Sequence, residues 1–280
     1  MSTKLSDIQP GAVELFVVDL LKQKDFYSDV IGLDLLEEND SEVKLGKGDS
    51  PLVVLSTVKP TFNTNSSEAG LYHFALLYKS RGELARTLNR IFKKMPDLFS
   101  GSADHLVSEA FYLNDPEGNG IELYFDREKK LWKWDGSSIQ MASLYISPQE
   151  YMQKYVTLEE DSAHVDMGHF HLKVGDISVA KKFYVDVLGF SVTAEYPGAL
   201  FISVDGYHHH IGLNTWESMN AVKRTQLSGL KTIEFFVSSE MSYTQLQQRL
   251  TDHRVSFTIQ TNSLVFHDPW NNQIRVVMRA

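Results

Sequence analysis

The sequence contains no cysteine, no long apolar run and no excess of basic side chains. Without cysteine, disulfides, thiolate nucleophiles and cysteine-type zinc sites are excluded. No stretch of about 18 apolar residues occurs, which excludes a transmembrane helix, and the first residues do not have the pattern of a secretion signal. Lys and Arg number 27 against 36 Asp and Glu, a net charge of −9, so binding to nucleic acid by phosphate neutralisation is not expected. These absences predict a cytoplasmic protein that acts on a small molecule, without nucleic-acid or membrane partners.

The two halves of the sequence resemble each other. Gly11–Leu33 and Gly168–Phe190 are identical at ten of 23 positions, and LNDPEGNGIEL at 113–123 resembles FHDPWNNQIRV at 266–276. Internal similarity of this kind indicates a duplicated structural unit. The expected division is a first domain at 8–127, a connector at 128–165 with a short helix near Pro148–Lys154, and a second domain at 166–280.

Each half divides again into two modules with the same order of elements. A first strand is followed by a helix, whose apolar residues recur at a spacing of 3.6, and then by three short strands. The first strands are predicted at 14–18, 71–77, 170–174 and 232–237, and the helices at 20–30, 82–94, 179–187 and 243–253. The predicted fold class is therefore α+β, with four βαβββ modules.

Polar residues recur at corresponding places in the first and last strands of the modules. The first strands carry Glu14, His73, His171 and Thr232, and the last strands carry Val54, Glu122, His209 or His210, and Arg275. Modules 2 and 3 thus offer two histidines and a glutamate, which is the ligand set of non-heme Fe(II) oxygenases. His73 and Glu122 stand in otherwise apolar strands, where an unpaired polar group would be costly. Modules 1 and 4 offer no histidine in these places, and Glu14 is expected to have a surface or salt-bridging role.

The motifs that carry these residues resemble those of a known superfamily. LKVGDISVAKKFYVDVLGF and DPEGNGIELY are similar to segments of the vicinal oxygen chelate superfamily, which includes glyoxalase I and the extradiol dioxygenases. GLYHFALL, MGHFHLKV and GYHHHIGLN resemble more closely the two-domain catechol 2,3-dioxygenases of Bacillus and its relatives. The resemblance implies two paired-module domains with curved mixed sheets, modules 1 and 2 in the first and modules 3 and 4 in the second.

The resemblance also implies an activity and a site. It predicts an extradiol ring-cleaving dioxygenase that opens catechol-type aromatics with O₂ to a muconic semialdehyde. His73, Glu122 and His171 match the ligands of Fe(II), and Mn(II) suits the same set. Tyr112, ten residues before Glu122, matches a tyrosine that reaches the substrate oxygen. His209 matches a histidine that acts as acid and base, with His210 as the alternative because only one of two neighbours along a strand faces inward.

Several alternatives remain open at the level of the sequence. Thr232 and Arg275 replace the ligands in module 4, so the site requires modules 2 and 3 to pair within one chain or across subunits of a homo-oligomer. A glyoxalase-type isomerase or lyase has the same fold but usually has glutamate in the last strand of both paired modules. A metal-free binding protein of the resistance type is the third possibility. His105 is a further candidate for the pocket, and a capping role is equally compatible with its position.

Overall fold

The computed structural model describes Leu5 and residues 7–59, 67–157, 164–225 and 228–279, and it confirms four βαβββ modules. Module 1 contains β1 (Gln9–Val17), α1 (Leu20–Asp25) continued by a π-helical turn (Phe26–Ile31), β2 (Asp34–Glu38), β3 (Glu42–Lys47) and β4 (Ser50–Thr57). Module 2 contains β5 (Gly70–Tyr78), α2 (Arg81–Lys94), a 3₁₀ turn (Pro96–Leu98), β6 (Phe99–Asp104), β7 (Ser108–Asn114) and β8 (Gly120–Asp126).

The connector and the second half follow the same pattern of elements. The connector contains a 3₁₀ turn (Lys129–Leu131), the short strands β9 (Trp134–Asp135) and β10 (Ser138–Ile139), and α3 (Pro148–Tyr155). Module 3 contains β11 (Val165–Lys173), α4 (Ile177–Lys181) with a π-helical turn (Lys182–Val187), β12 (Ser191–Tyr196), β13 (Ala199–Ser203) and β14 (Ile211–Asn214). Module 4 contains β15 (Gly229–Val237), α5 (Glu240–Asp252), β16 (Phe257–Gln260), β17 (Ser263–His267) and β18 (Gln273–Met278).

The first helix of every module begins at a polar capping residue. The side chains of these residues accept a hydrogen bond from the backbone N–H three positions later, which satisfies one of the free donors of the first turn. The capping residues are Asp19, Ser80, Asp176 and Ser239. In modules 1 and 3 the helical segment is followed by a glycine in the left-handed conformation, with φ of 90° at Gly32 and 97° at Gly189, which is the common way to end a helix.

The strands form two eight-stranded sheets, and each sheet takes one module from each half of the chain. One sheet has the order β16-β17-β18-β15-β1-β4-β3-β2 and joins modules 1 and 4; we call it the 1/4 sheet. The other has the order β12-β13-β14-β11-β5-β8-β7-β6 and joins modules 2 and 3; we call it the 2/3 sheet. In both, the first strands of the two modules pair antiparallel at the centre.

The composition of the sheets differs from the expected pairing of modules 1 with 2 and 3 with 4 in the domains 8–127 and 166–280. Sequence similarity identifies which modules correspond, but it carries no information about which first strands share hydrogen bonds. The partner of β5 is β11, and the partner of β1 is β15. Of the two arrangements left open for the predicted ligands, pairing of modules 2 and 3 within one chain is the one present.

The connector packs against the 2/3 sheet. Leu144 pairs with Asp104 at the end of β6, Trp132 and Ile139 are buried in a small apolar cluster, and the ring of Tyr151 in α3 lies 4.8 Å from that of Phe111. The predicted helix near residues 148–154 is therefore present, whereas connector residues 158–163 lie outside the described part of the chain. Within the described residues, no helix is both long and apolar enough to cross a membrane.

Candidate metal centre

A cavity of about 900 Å³ lies on the 2/3 sheet. Its wall is built by strands of modules 2 and 3, by residues 141–143 of the connector and by Trp216 after β14. His73, Glu122 and His171 line it. The cavity is large enough for a small aromatic molecule, since ligand pockets commonly measure about 300–1,000 Å³.

Three buried side chains beside this cavity bring their donor atoms together. His73 Nε2 lies 3.0 Å and His169 Nε2 lies 3.1 Å from the same carboxylate oxygen, Glu122 Oε2. One ligand atom from each residue lies within 4.8 Å of those of the other two. Among the described residues, His73, Glu122 and His169 are the one such group of histidine, cysteine and acidic side chains.

The pairing of the strands explains why these side chains meet. β5 and β8 are parallel neighbours, with Ala75 opposite Glu122, and β5 and β11 are antiparallel neighbours, with His73 opposite His171. A bulge between Met167 and His169 shifts the register of β11. Because side chains two residues apart point to the same face of a strand, His169 and His171 both face the cavity side of the sheet.

The structure therefore places a different histidine beside Glu122 from the one predicted. His169 contacts the carboxylate, whereas His171 Nε2 accepts a hydrogen bond from Asn214 Nδ2 at 3.0 Å. His171 stays close, with its ring 4.9 Å from that of His73. The distance in sequence from each helix cap identifies His169 as the equivalent of His73. His73 lies seven residues before Ser80, and His169 lies seven residues before Asp176. The alignment of Gly11–Leu33 with Gly168–Phe190 instead places His171 level with Glu14 of the first strand.

The protonation states favour a bound cation. Burial lowers the pKa of His169 and lowers that of His171 further, so both imidazoles are neutral near pH 7. Burial alone would raise the pKa of Glu122, but His169 and His73 hold it well below its usual value, so the carboxylate is ionised. His73 Nε2 is moreover a buried nitrogen that forms no hydrogen bond, because its 3.0 Å contact with Glu122 Oε2 is not aligned for one. Unpaired buried groups of this kind are rare in proteins, and two imidazoles with one carboxylate fit a divalent transition metal.

Tyr112 stands beside the three donors, where the sequence predicted it. It lies opposite Glu122 in the pairing of β7 with β8, and burial raises its pKa well above the usual value. His105 Nδ1 lies 2.6 Å from the carbonyl oxygen of Ala142, so it donates there, and His105 Nε2 accepts from the Tyr112 hydroxyl at 2.6 Å. The connector thus holds the orientation of the tyrosine through His105.

The two neighbouring histidines before β14 face different surroundings. His209 lines the cavity, and the centroid of its ring lies 4.1 Å from that of His169. His210 does not line the cavity; its Nδ1 lies 2.8 Å from Ser203 Oγ and its ring stacks on Tyr207. Burial lowers the pKa of His210 to about 3. Of the two predicted candidates, His209 is the one placed to meet a molecule in the cavity.

A known family accounts for the repeated modules. The family model of the Glyoxalase/Bleomycin resistance protein/Dioxygenase superfamily matches residues 9–123 and 166–276. The chain belongs to this superfamily. It is 34% identical over 277 residues to the catechol-2,3-dioxygenase of Bacillus subtilis strain 168, and the match covers 96% of each protein.

Solved structures agree with membership of the superfamily at the level of the fold. A protein of Bacillus subtilis strain 168 superposes with a TM-score of 0.66 at 12% identity, covering 99% of this chain and 86% of the other. Glyoxalase I of Zea mays superposes with a TM-score of 0.57 at 15% identity, covering 97% and 92%. At such low identities these similarities support the fold and its arrangement of modules, and the reaction has to be inferred from the site residues.

Within the superfamily fold, module 3 offers no carboxylate opposite Glu122. Its last strand places Gly212 beside His171, as module 2 places Glu122 beside Ala75. A Cβ on Gly212 would lie 2.9 Å from Cγ of His171, so the imidazole occupies the space of a side chain there. His209 and His210 precede β14 rather than standing at this position. The structure thus supplies three clustered donors rather than a symmetrical four.

The equivalent region of the 1/4 sheet is filled with ion pairs. Glu14 contacts the Arg275 guanidinium and lies 3.4 Å from Lys231 Nζ, so of the two expected roles it has the salt bridge, and it is buried rather than at the surface. Thr232 donates to Gln273 at 2.8 Å. No group of three potential metal ligands occurs among the described residues of this sheet.

Proposed function

We propose that the protein is an extradiol dioxygenase that opens catechol-type aromatic rings with O₂ to give a muconic semialdehyde. The observation that carries this proposal is the cluster of two imidazoles and one carboxylate beside a cavity of about 900 Å³. The relative at 34% identity bears the name catechol-2,3-dioxygenase, which supports the same reaction class. The reaction adds both atoms of O₂ to the ring carbons on either side of the broken bond.

We assign His73, Glu122 and His169 as the residues that hold Fe(II), with Mn(II) as the alternative ion for the same donors. His171, which lines the cavity while His169 lies deeper, is the alternative third ligand. When bound, the metal supplies Lewis acidity for the two oxygens of the diol and the redox chemistry that activates O₂. The protein contributes a neutral imidazole at His169 and an ionised carboxylate at Glu122, and neither group needs to lose a proton before binding.

Two further side chains are assigned to the substrate. Tyr112 keeps its proton because burial raises its pKa, so it donates a hydrogen bond to a substrate oxygen when it turns from His105. Burial lowers the pKa of His209 well below the usual value, so it is a neutral imidazole with a lone pair, and we assign it to take a proton from the diol and return it during ring opening. Both residues line the cavity.

The activity is tested by adding Fe(II) to the purified protein without oxygen and then adding catechol in air. We expect a yellow product whose formation is lost in His73→Ala and Glu122→Ala and kept in His253→Ala, an exposed histidine of module 4. Bound metal without colour would replace the proposal with isomerase or lyase chemistry. Neither metal nor colour would leave a metal-free binding protein.

The identity of the third ligand is tested by a matched pair of variants. His169→Ala and His171→Ala remove the same group from the same strand face, two residues apart. We expect iron affinity to fall about 100-fold in His169→Ala and less than about 10-fold in His171→Ala, measured by competition with a metal indicator, because loss of a direct ligand exceeds the effect of a neighbouring group. The reverse order would assign the metal to His171.

A further inference from the structure

A chain of buried hydrogen bonds runs from the cavity wall to the edge of the molecule. His209 Nδ1 lies 2.7 Å from Nδ1 of His208, and His208 Nε2 lies 2.8 Å from Asp126 Oδ1. His208 is fully buried, whereas the side chain of Asp126 is 20% exposed. These hydrogen bonds join the segment before β14 to Asp126, the last residue of β8, so they connect module 3 with module 2.

The neighbours of this chain hold it in place. Tyr207 donates to the second oxygen of Asp126 at 2.7 Å, and its ring lies 4.1 Å from that of His208. The Trp132 ring covers the other side of His208, with the centroids 5.2 Å apart. The hydroxyl groups of Tyr124 and Tyr207 form a hydrogen bond. The Tyr124 hydroxyl fits because residue 168 is a glycine, since a Cβ on Gly168 would lie 1.8 Å from the Tyr124 oxygen.

The carboxylate at one end of this series of hydrogen bonds determines which nitrogen donates and which accepts in each bond. A carboxylate only accepts hydrogen bonds, so Asp126 requires a proton on Nε2 of His208. In neutral His208 the other nitrogen, Nδ1, then has a lone pair and accepts. His209 must therefore carry its proton on Nδ1, and its Nε2 has the free lone pair.

We infer that Asp126 and His208 are positioning residues that fix the tautomer of His209, so that an unprotonated Nε2 is available to the molecule in the cavity. The role in ring cleavage rests on the proposed function, whereas the tautomer itself does not. A similar arrangement, in which a carboxylate sets the tautomer of a catalytic imidazole, is well known in serine proteases. Here a second imidazole stands between the carboxylate and the ring that meets the substrate.

The tautomer is measured by NMR of the metal-free protein with ¹⁵N-labelled histidine, which separates protonated from unprotonated ring nitrogens. In the wild type we expect a protonated Nδ1 and an unprotonated Nε2 for His209, and the opposite order for His208. Asp126→Ala removes the acceptor, so the His209 signals should move towards a mixture of tautomers or to the reverse one. Asp126→Glu should restore the original pattern.

The matched control is Tyr207→Phe, which removes the other hydrogen bond of Asp126 and leaves the bond to His208 in place. It should keep the wild-type tautomer. A His209 with its proton on Nε2 in the wild type would overturn the inference, whether or not any variant folds. So would an unchanged tautomer in folded Asp126→Ala, checked by its amide spectrum.

Kinetics provide the second readout. If the protein cleaves catechol, Asp126→Ala should lower kcat by about 10- to 100-fold, within the range of general acid–base contributions, with little change in KM. Tyr207→Phe should change kcat far less. If the protein cleaves no catechol, the NMR result still decides the tautomer, so failure of the inference and failure of the proposed function are distinguished.

Discussion

The 1/4 sheet and the 2/3 sheet are built from the same kind of module but satisfy their buried polar groups differently. Near the centre of the 1/4 sheet, the carboxylate of Glu14 is neutralised by Arg275 and Lys231. In the 2/3 sheet, Glu122 meets two imidazoles whose protonation depends on their surroundings. A guanidinium cannot give up its charge or ligate a metal, whereas an imidazole can do both.

This difference shows that the fold alone does not create a metal site. Both sheets pair two first strands antiparallel and flank them with parallel last strands. The two sheets differ in the group that contacts the buried carboxylate: a guanidinium competes with a metal for the carboxylate, whereas an imidazole can bind the same metal. The predictions that follow test the comparison, beginning with the largest expected effect.

Removing the carboxylate should have opposite consequences in the two sheets. Glu122→Gln replaces a charged ligand with a neutral amide, so we expect metal affinity to fall by about 100-fold or more. Glu14→Gln should leave metal affinity unchanged and instead lower the free energy of unfolding by about 1–2 kcal/mol, because Arg275 and Lys231 lose their shared partner at a partly exposed site. Metal titration and urea unfolding measure the two effects. Equal loss of metal in both variants would contradict the comparison.

Filling the position of module 3 that corresponds to Glu122 should strain the 2/3 sheet. The methyl group added in Gly212→Ala would lie 2.9 Å from Cγ of His171, closer than van der Waals contact. We expect a loss of stability of about 1–3 kcal/mol, typical of overpacking. The double variant with His171→Ala should recover much of this loss, which a double-mutant cycle in urea measures. Additive effects would mean that the imidazole does not occupy that space.

Mild acid should weaken the 2/3 sheet before the 1/4 sheet, because the buried histidines of the described residues lie in the former. The pKa of His210 falls to about 3 on folding, so below its unfolded value of about 6.5 only the unfolded state takes up the proton. Stability therefore decreases as pH falls, by about 1 kcal/mol between pH 6.5 and 5.5 from this residue alone.

The test replaces His210 with Asn, whose side-chain oxygen can accept the bond from Ser203. Urea unfolding at several pH values should show a shallower loss of stability between pH 6.5 and 5.5 in His210→Asn than in the wild type. His253→Asn, at an exposed site, should keep the wild-type slope. An unchanged slope in His210→Asn would show that this imidazole is protonated in the folded protein.

The sequence predicted the modules well because they depend on local patterns. Apolar periodicity located the helices, and the family resemblance singled out Tyr112, which lies opposite Glu122 in the pairing of β7 with β8. His73 and Glu122 were recognisable as polar residues within apolar strands. Local patterns were sufficient wherever one strand or one helix determined the outcome.

The remaining features depend on contacts between distant strands. The choice between His169 and His171 depends on a bulge in β11 and on the hydrogen bond from Asn214, and neither is encoded by the repeat alone. Asp126 and His208 lie 82 residues apart, so their contact could not be inferred from spacing. The pairing of modules across the two halves follows from the complementarity of whole strands, which similarity between modules does not measure.

Along the sequence, the modules of the 2/3 sheet lie between those of the 1/4 sheet, and this order has a consequence for folding. In the 2/3 sheet, His73 pairs with His171, 98 residues further along the chain. In the 1/4 sheet, Val13 pairs with Ile233, 220 residues further along. Contacts between distant residues form late because the intervening loop loses entropy when it closes. During synthesis from the N-terminal end, modules 2 and 3 are made before module 4 is complete. The half of the molecule that carries the three donors can thus assemble while module 1 still lacks its partner, and the arrival of β15 completes the other half.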